Sequence, residues 1–129
     1  MRLLDTTFII DFLRGEEEAL KKAKEISNYK LFTTEINVFE ILTGIYKRGK
    51  FNEEKIFLEF LGRLEILLLA GEATKISARI NVDLEKRGVK IGVYDCLIAG
   101  IALTNDIKTV VTRNKEHFSR IKSIIVEGY

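Results

Sequence analysis

Three acidic side chains stand where a folded domain has little structural use for a charge. Asp5 follows directly on the apolar run Leu3-Leu4, at the carboxyl end of what reads as a first strand. In a parallel sheet, the crevice outside the strand ends is where ligands bind. Glu40 lies between Phe39 and Ile41 in the most apolar part of a helical stretch, on a face with Ile36, Thr43 and Gly44. A mid-helix Gly costs about 1 kcal/mol relative to Ala, which close approach of another backbone beside Glu40 would explain. Asp95 opens the uncharged run Cys96 to Leu103, and counting by three and four from it reaches Ile98, Ala99 and Ala102. Each acid also has a plainer explanation: an N-cap for Asp5, a solvent-facing helix position for Glu40, and dipole complementarity at a helix start for Asp95. Taken together they predict three carboxylates around one sheet edge. Like charges gathered in one place are made tolerable by a divalent cation, and all-oxygen ligation points to Mg²⁺, with Mn²⁺ as the alternative. The hydroxyls of Thr6 and Thr112 are placed to support such a site by holding metal-bound water.

Other reactive residue types receive structural assignments. His117 is the single histidine, which excludes paired-His acid–base chemistry; beside Phe118 it reads as structural. Cys96 reads as a buried, inert thiol, and one cysteine makes neither an internal disulfide nor a Cys/His zinc cluster. Asp11 and Asp83 read as solvated charges on the polar sides of their helices.

The elements that must position these residues follow from periodicity. Short β-type runs alternate with longer helical patterns, which predicts an α/β domain spanning residues 1–129. Strands are expected over Arg2 to Asp5, Tyr29 to Thr33, Leu64 to Leu69, Lys108 to Thr112 and Ser123 to Val126. The third, apolar apart from Glu65, is expected to be buried on both faces, as parallel strands are. Helices are expected after Thr6, over Glu16 to Ile26, after the N-cap Thr34, over Asn52 to Gly62, over Glu72 to Lys86 and over Val93 to Thr104.

Composition narrows the field. The 129 residues are 47% apolar and 31% charged, which excludes wholesale disorder and fits one compact domain. The longest apolar run, Ile66 to Ala70, falls far short of the ~20 residues of a membrane span. Asp5 interrupts the N-terminus too early for a signal peptide, so a cytoplasmic location is expected. Lys and Arg number 21 against 19 Asp and Glu, a net charge of +2 that predicts no partner by itself. If a cation offsets the three acids the remaining surface becomes more basic, with Lys108, Arg113, Lys115, Arg120 and Lys122 near one segment.

Four blocks of the chain resemble those of PIN domains, and of the VapC-like toxin ribonucleases in particular. Asp5 to Gly15 (DTTFIIDFLRG) resembles the opening block, Thr34 to Gly44 (TEINVFEILTG) the second, Gly88 to Leu103 the third, and Val111 to Ile121 (VTRNKEHFSRI) the last. The blocks occur in order and cover nearly the whole chain. The resemblance implies a three-layer α/β/α fold with a mostly parallel sheet of four or five strands. It implies an endoribonuclease, the toxin of a type II toxin–antitoxin pair, which cuts RNA by in-line displacement and leaves 5′-phosphate and 3′-hydroxyl ends. Asp5, Glu40 and Asp95 would hold Mg²⁺ or Mn²⁺, with Thr6, Thr112 and Asn114 in support. Arg14, Arg113 and Lys115 would meet RNA, Arg14 alternatively the acids of an antitoxin. A cognate antitoxin protein, placing a basic side chain in the acidic cleft, and a homodimer are implied as partners. One departure stands out: Asn114 occupies the place where many family members carry a fourth acid, which implies weaker binding at a second metal position. Glu116, the nearest substitute, is expected to face solvent.

Two other readings compete. The missing fourth acid favours a PIN-fold module that binds RNA or protein with hydrolysis weakened, and a gene without a partner frame would favour a stand-alone RNA-processing nuclease. Other phosphate-handling folds fit poorly. Thr7 stands where a haloacid-dehalogenase-like phosphatase needs its second Asp, no Asp ends the Leu64 to Gly71 segment as a receiver domain requires, and no G-x-x-x-x-G-K-[ST] loop is present.

Overall fold

The computed structural model describes residues 1–129. Its strands are β1 (Arg2–Leu4), β2 (Leu31–Thr34), β3 (Glu65–Leu67), β4 (Thr109–Val111) and β5 (Ile125–Glu127). Its helices are α1 (Thr6–Leu13), α2 (Glu17–Glu25), α3 (Glu35–Arg48), α4 (Phe51–Leu61), α5 (Ala73–Lys86), α6 (Val93–Thr104) and α7 (Lys115–Ser119). All strand pairings are parallel, in the order β3-β2-β1-β4-β5.

The period of two along a strand explains the layers. Leu3 of β1 pairs with Phe32 and Val110 in register, and these join one core with Ile98, Ile101 and Phe118. Leu4, one residue on, points to the opposite face, where with Val111 it meets Phe8, Ile9, Ile41 and Phe57. Helices α5, α6 and α7 therefore cover one face and α1 to α4 the other, giving the expected α/β/α sandwich. The chain builds outward from β1 through β2 to β3, then crosses back to place β4 on the other side of β1. The reversal opens a crevice between the carboxyl ends of β1 and β4. Asp5 and Thr112 are the residues that follow those two ends.

Three expectations need correction. The Leu64 to Leu69 segment is not a buried central strand: β3 is the sheet edge, Leu67 alone in it is buried, and Leu68 beyond it is 55% exposed. An edge strand has one covered flank, and Lys30 of the β1-to-β2 side reaches Glu65 at 2.8 Å. Gly44 admits no neighbouring backbone, since a Cβ there would meet only Arg48 Nη1, at 3.3 Å. Close helix approach occurs instead at Gly100 of α6, whose added Cβ would collide with Ser77 and come 2.8 Å from the Ala73 carbonyl of α5. Asp11 is not solvated but 5% exposed. Arg113 Nη1 donates to both of its oxygens at 2.9 and 3.0 Å, and the Tyr129 hydroxyl donates at 2.6 Å. The C-terminal residue folds back over α1, its ring edge-on to Phe8 at 5.3 Å, and closes the surface that would have hydrated Asp11.

Candidate active site

Asp5 sits at the N-cap position of α1 with extended backbone, yet its side chain makes no capping hydrogen bond. The carboxylate is turned over the sheet end instead. Its Oδ2 accepts from Thr112 Oγ1 at 2.7 Å and Thr7 Oγ1 at 3.2 Å, and its Oδ1 accepts from Asn37 Nδ2 at 3.3 Å. At 3% exposure, burial pushes its proton affinity above the ordinary carboxylate range; the Thr112 hydrogen bond opposes this, and the charge of Asp95 adds to it.

Glu40 is placed by the start of its helix. Thr34 and Asn37 form a capping box: Thr34 Oγ1 accepts from the Asn37 amide, while Asn37 Oδ1 accepts from the Thr34 amide. This orients Asn37 Nδ2 toward Asp5 and also toward Thr6 Oγ1, 3.0 Å away. Thr6 Oγ1 in turn donates to Glu40 Oε1 at 2.9 Å. Glu40 is half-buried, and its proton affinity is raised first by burial and then, against the Thr6 hydrogen bond, by the charges of Asp5 and Asp95.

Asp95 occupies the first turn of α6, where its Oδ2 lies 2.9 Å from His117 Nδ1. With Glu40, Gly92, Val93 and Tyr94 it lines one open cavity. Phe39 and Tyr94, each immediately before a cleft acid, meet edge-to-face at 5.8 Å, and both residues are partly exposed at the rim.

The structure thus gathers Asp5, Glu40 and Asp95 at one end of the sheet, each pair close enough to raise a partner's proton affinity. Thr6 and Thr112 donate to these carboxylates. Thr112 Oγ1 also accepts from the Asn114 amide at 2.9 Å, which places Asn114 at the N-cap of α7 with its side chain on His117. Glu116 turns away, 77% exposed and paired with Arg120. The basic residues lie apart from the acids. The Arg113 amide donates to Thr7 Oγ1 at 3.1 Å, but its guanidinium goes to Asp11. Lys115 lies over Gly128, and Arg14 lines an apolar groove with Leu13, Ile45, Arg48 and Phe57.

Thr7 and Asn37 carry the site without having been proposed for it from the sequence, and His117, read there as structural beside Phe118, touches a cleft acid. The Thr34-x-x-Asn37 spacing is a capping pattern and could have pointed to Asn37. Nothing local distinguishes Thr7 from Thr6, and the partner of His117 is 22 residues away on another helix.

The donor set, three carboxylates backed by threonine hydroxyls, suits a hard divalent cation, which would offset the burial and like charge that raise the proton affinities of Asp5 and Glu40. No three His, Cys, Asp or Glu side chains close into a ready ligand cage. Mg²⁺ requires none, since it keeps several waters and takes one or two carboxylates directly. No helix is long and apolar enough to cross a membrane.

Comparison with known proteins agrees with the fold. The PIN-domain family model matches residues 2–124. The chain belongs to the PIN-domain family, and its sequence groups with the VapC ribonucleases of that family. It is 33% identical over 129 residues to the ribonuclease VapC of Rickettsia bellii, covering 96% of this chain and 92% of the relative. It is 27% identical over 128 residues to the tRNA(fMet)-specific endonuclease VapC of Salmonella typhimurium, covering 98% and 96%. In structure it is similar to a chain of VapBC2 from Rickettsia felis bound to a DNA fragment from their promoter, with a TM-score of 0.87, 27% identity and coverage of 99% and 98%.

Proposed function

We propose that this protein is a metal-dependent endoribonuclease, the toxin of a type II toxin–antitoxin pair, which hydrolyses RNA phosphodiester bonds at a Mg²⁺ or Mn²⁺ site held by Asp5, Glu40 and Asp95. The observation that carries the reading is the convergence of these carboxylates, from the first, middle and late parts of the chain, at the switch point of a parallel sheet. The likeness to VapC ribonucleases supports it independently.

When bound, the cation would supply positive charge to the scissile phosphate and to the leaving oxygen. Asp5 is held on both oxygens by Thr7, Thr112 and Asn37, so its role is to bind without moving. Glu40 has Oε1 engaged by Thr6, which leaves Oε2 at the cleft to accept a proton from the attacking water. The water oxygen forms a bond to phosphorus, the P–O3′ bond breaks, and the 3′ oxygen takes up a proton, leaving a 5′-phosphate and a 3′-hydroxyl. The exposed rings of Phe39 and Tyr94 offer unpaired bases a stacking surface at the rim.

A cognate antitoxin is the proposed protein partner, as the similarity to a VapBC2 chain supports. A basic side chain would enter the acidic cleft, and the groove lined by Ile10, Leu13, Ile41, Ile45 and Phe57 would seat an apolar face. A homodimer and a cytoplasmic location belong to the same proposal. Asn114, a neutral side chain beside the cleft, favours a second reading, a PIN-fold binding module with weakened hydrolysis.

The test is cleavage of single-stranded RNA by purified protein, with and without chelator, alongside growth on expression. The reading expects 5′-phosphate products that require Mg²⁺ or Mn²⁺, and loss of both cleavage and growth arrest in folded Asp95→Asn protein. Binding of RNA or antitoxin without any cleavage would favour the binding module, and cleavage indifferent to chelator would refute the metal site.

A further inference from the structure

His117 touches a cleft acid, and the proton inventory of that contact says how. Its Nδ1 is 2.9 Å from Asp95 Oδ2 and 2.9 Å from Asn114 Nδ2. A ring nitrogen carries either a proton or a lone pair. A lone pair on Nδ1 would face the lone pairs of a carboxylate oxygen with no hydrogen between them. A proton on Nδ1 makes the same contact a hydrogen bond to an ionised acceptor, which is among the stronger kinds. Nδ1 therefore donates. The Asn114 side-chain amide presents an oxygen and a nitrogen in nearly the same shape; with the oxygen turned to the ring it shares the single Nδ1 proton with the carboxylate in a bifurcated bond, and the amide nitrogen faces outward.

The surrounding fold holds the ring in place. Helix α7 is five residues long and is pinned by Phe118, which is fully buried in the core beside Ile98 and Ile101. With Phe118 committed inward, its neighbour His117 is directed to the cleft. Arg120, at the end of α7, ties the same segment to Lys90 through the carbonyl of that residue and receives Arg87 Nη2 on its own carbonyl at 2.6 Å.

We propose that His117 is a positioning residue: its Nδ1–H, oriented by the Asn114 carbonyl, fixes Asp95 Oδ2 and leaves Oδ1 of that carboxylate to serve the cleft. The hydrogen-bond assignment stands on the His117–Asp95 contact, and its consequence for cation binding rests on the function proposed above. Outer partners of this kind set ligand orientation, and losing one typically costs about 10–100-fold in metal affinity or activity.

Because the chain has a single histidine, the assignment can be read without a variant. A long-range ¹H–¹⁵N correlation spectrum of the metal-free protein in mildly alkaline buffer should show a protonated Nδ1 and a bare Nε2; the opposite tautomer overturns the proposal. A calorimetric titration with Mn²⁺ tests the consequence. His117→Leu should weaken binding about tenfold or more, while His117→Asn, which keeps an N–H near the Nδ1 position, should recover most of the loss. Equal Mn²⁺ affinity in wild-type and His117→Leu protein overturns the positioning role and leaves the cation site standing. Absence of Mn²⁺ binding in the wild type removes the cation site and the positioning role together.

Discussion

Replacing Thr112 by valine exchanges a hydroxyl for a methyl at a fully buried position just after β4. The oxygen donates to Asp5 Oδ2 at 2.7 Å, accepts from the Asn114 amide at 2.9 Å, and lies 3.2 Å from Thr7 Oγ1. A hydrogen bond to an ionised group is worth about 1.5–3 kcal/mol and a neutral one about 0.5–1.5, while the added methyl returns about 0.8 kcal/mol. The expected destabilisation is therefore about 1–4 kcal/mol. A second effect falls on Asp5, because the Thr112 hydrogen bond is the main influence opposing burial. Folded Asp5 holds its proton more tightly than the unfolded chain, whose value is 3.8. Its contribution to stability is present in full below that value and is lost as pH rises through the folded pKa. Thr112→Val raises the folded pKa further, so the loss extends to higher pH, and a cation that must displace the proton binds only at correspondingly higher pH. Thr112→Ser keeps the oxygen and gives up only a methyl. Urea unfolding across a pH series, paired with Mn²⁺ titrations, compares the three proteins. Equal stability of the valine and serine variants, with superimposable pH dependence of Mn²⁺ binding, would refute the reasoning.

Glu40→Gln keeps the oxygen that Thr6 bonds and removes a charge that Asp5 and Asp95 oppose. Metal-free Glu40→Gln protein should unfold at a higher temperature than wild type above the ordinary carboxylate range and lose that advantage in acid, as thermal scans at several pH values would show, while cleavage is abolished. Ser77 Oγ is the one buried side-chain polar atom without a partner, so Ser77→Ala should stabilise the fold by about 1–3 kcal/mol in urea unfolding; a loss of stability would show that the hydroxyl is bonded. Tyr129→Phe removes the donor to Asp11 and should cost about 1 kcal/mol or more, an effect that should shrink in an Asp11→Asn background when measured as a double-mutant cycle.

The parallel sheet and its flanking helices were legible because buried strands and amphipathic helices write their periods directly into the chain. The acids at positions 5, 40 and 95 were legible for a related reason, since each interrupts an apolar pattern. The readings that went astray depend on which elements meet. Whether a largely apolar segment such as Leu64 to Leu69 lies at the middle or the edge of a sheet is fixed by strand order, which periodicity does not encode. Asp11 reads as solvated until Tyr129, 118 residues on, folds back over it. His117 owes its place to Phe118, whose burial against α6 directs the ring to Asp95. Gly44 and Gly100 are both mid-helix glycines, and only the pairing of α5 with α6 tells that the second is the close approach.

The most direct measurement is a calorimetric titration of Mn²⁺ into wild-type protein and into the Asp5→Asn, Glu40→Gln and Asp95→Asn variants, each checked for folding by circular dichroism. A shared cation site predicts saturable binding by the wild type and a marked loss of affinity in every one of the three. Undiminished binding in folded variants, or no saturable uptake by the wild type, would contradict it.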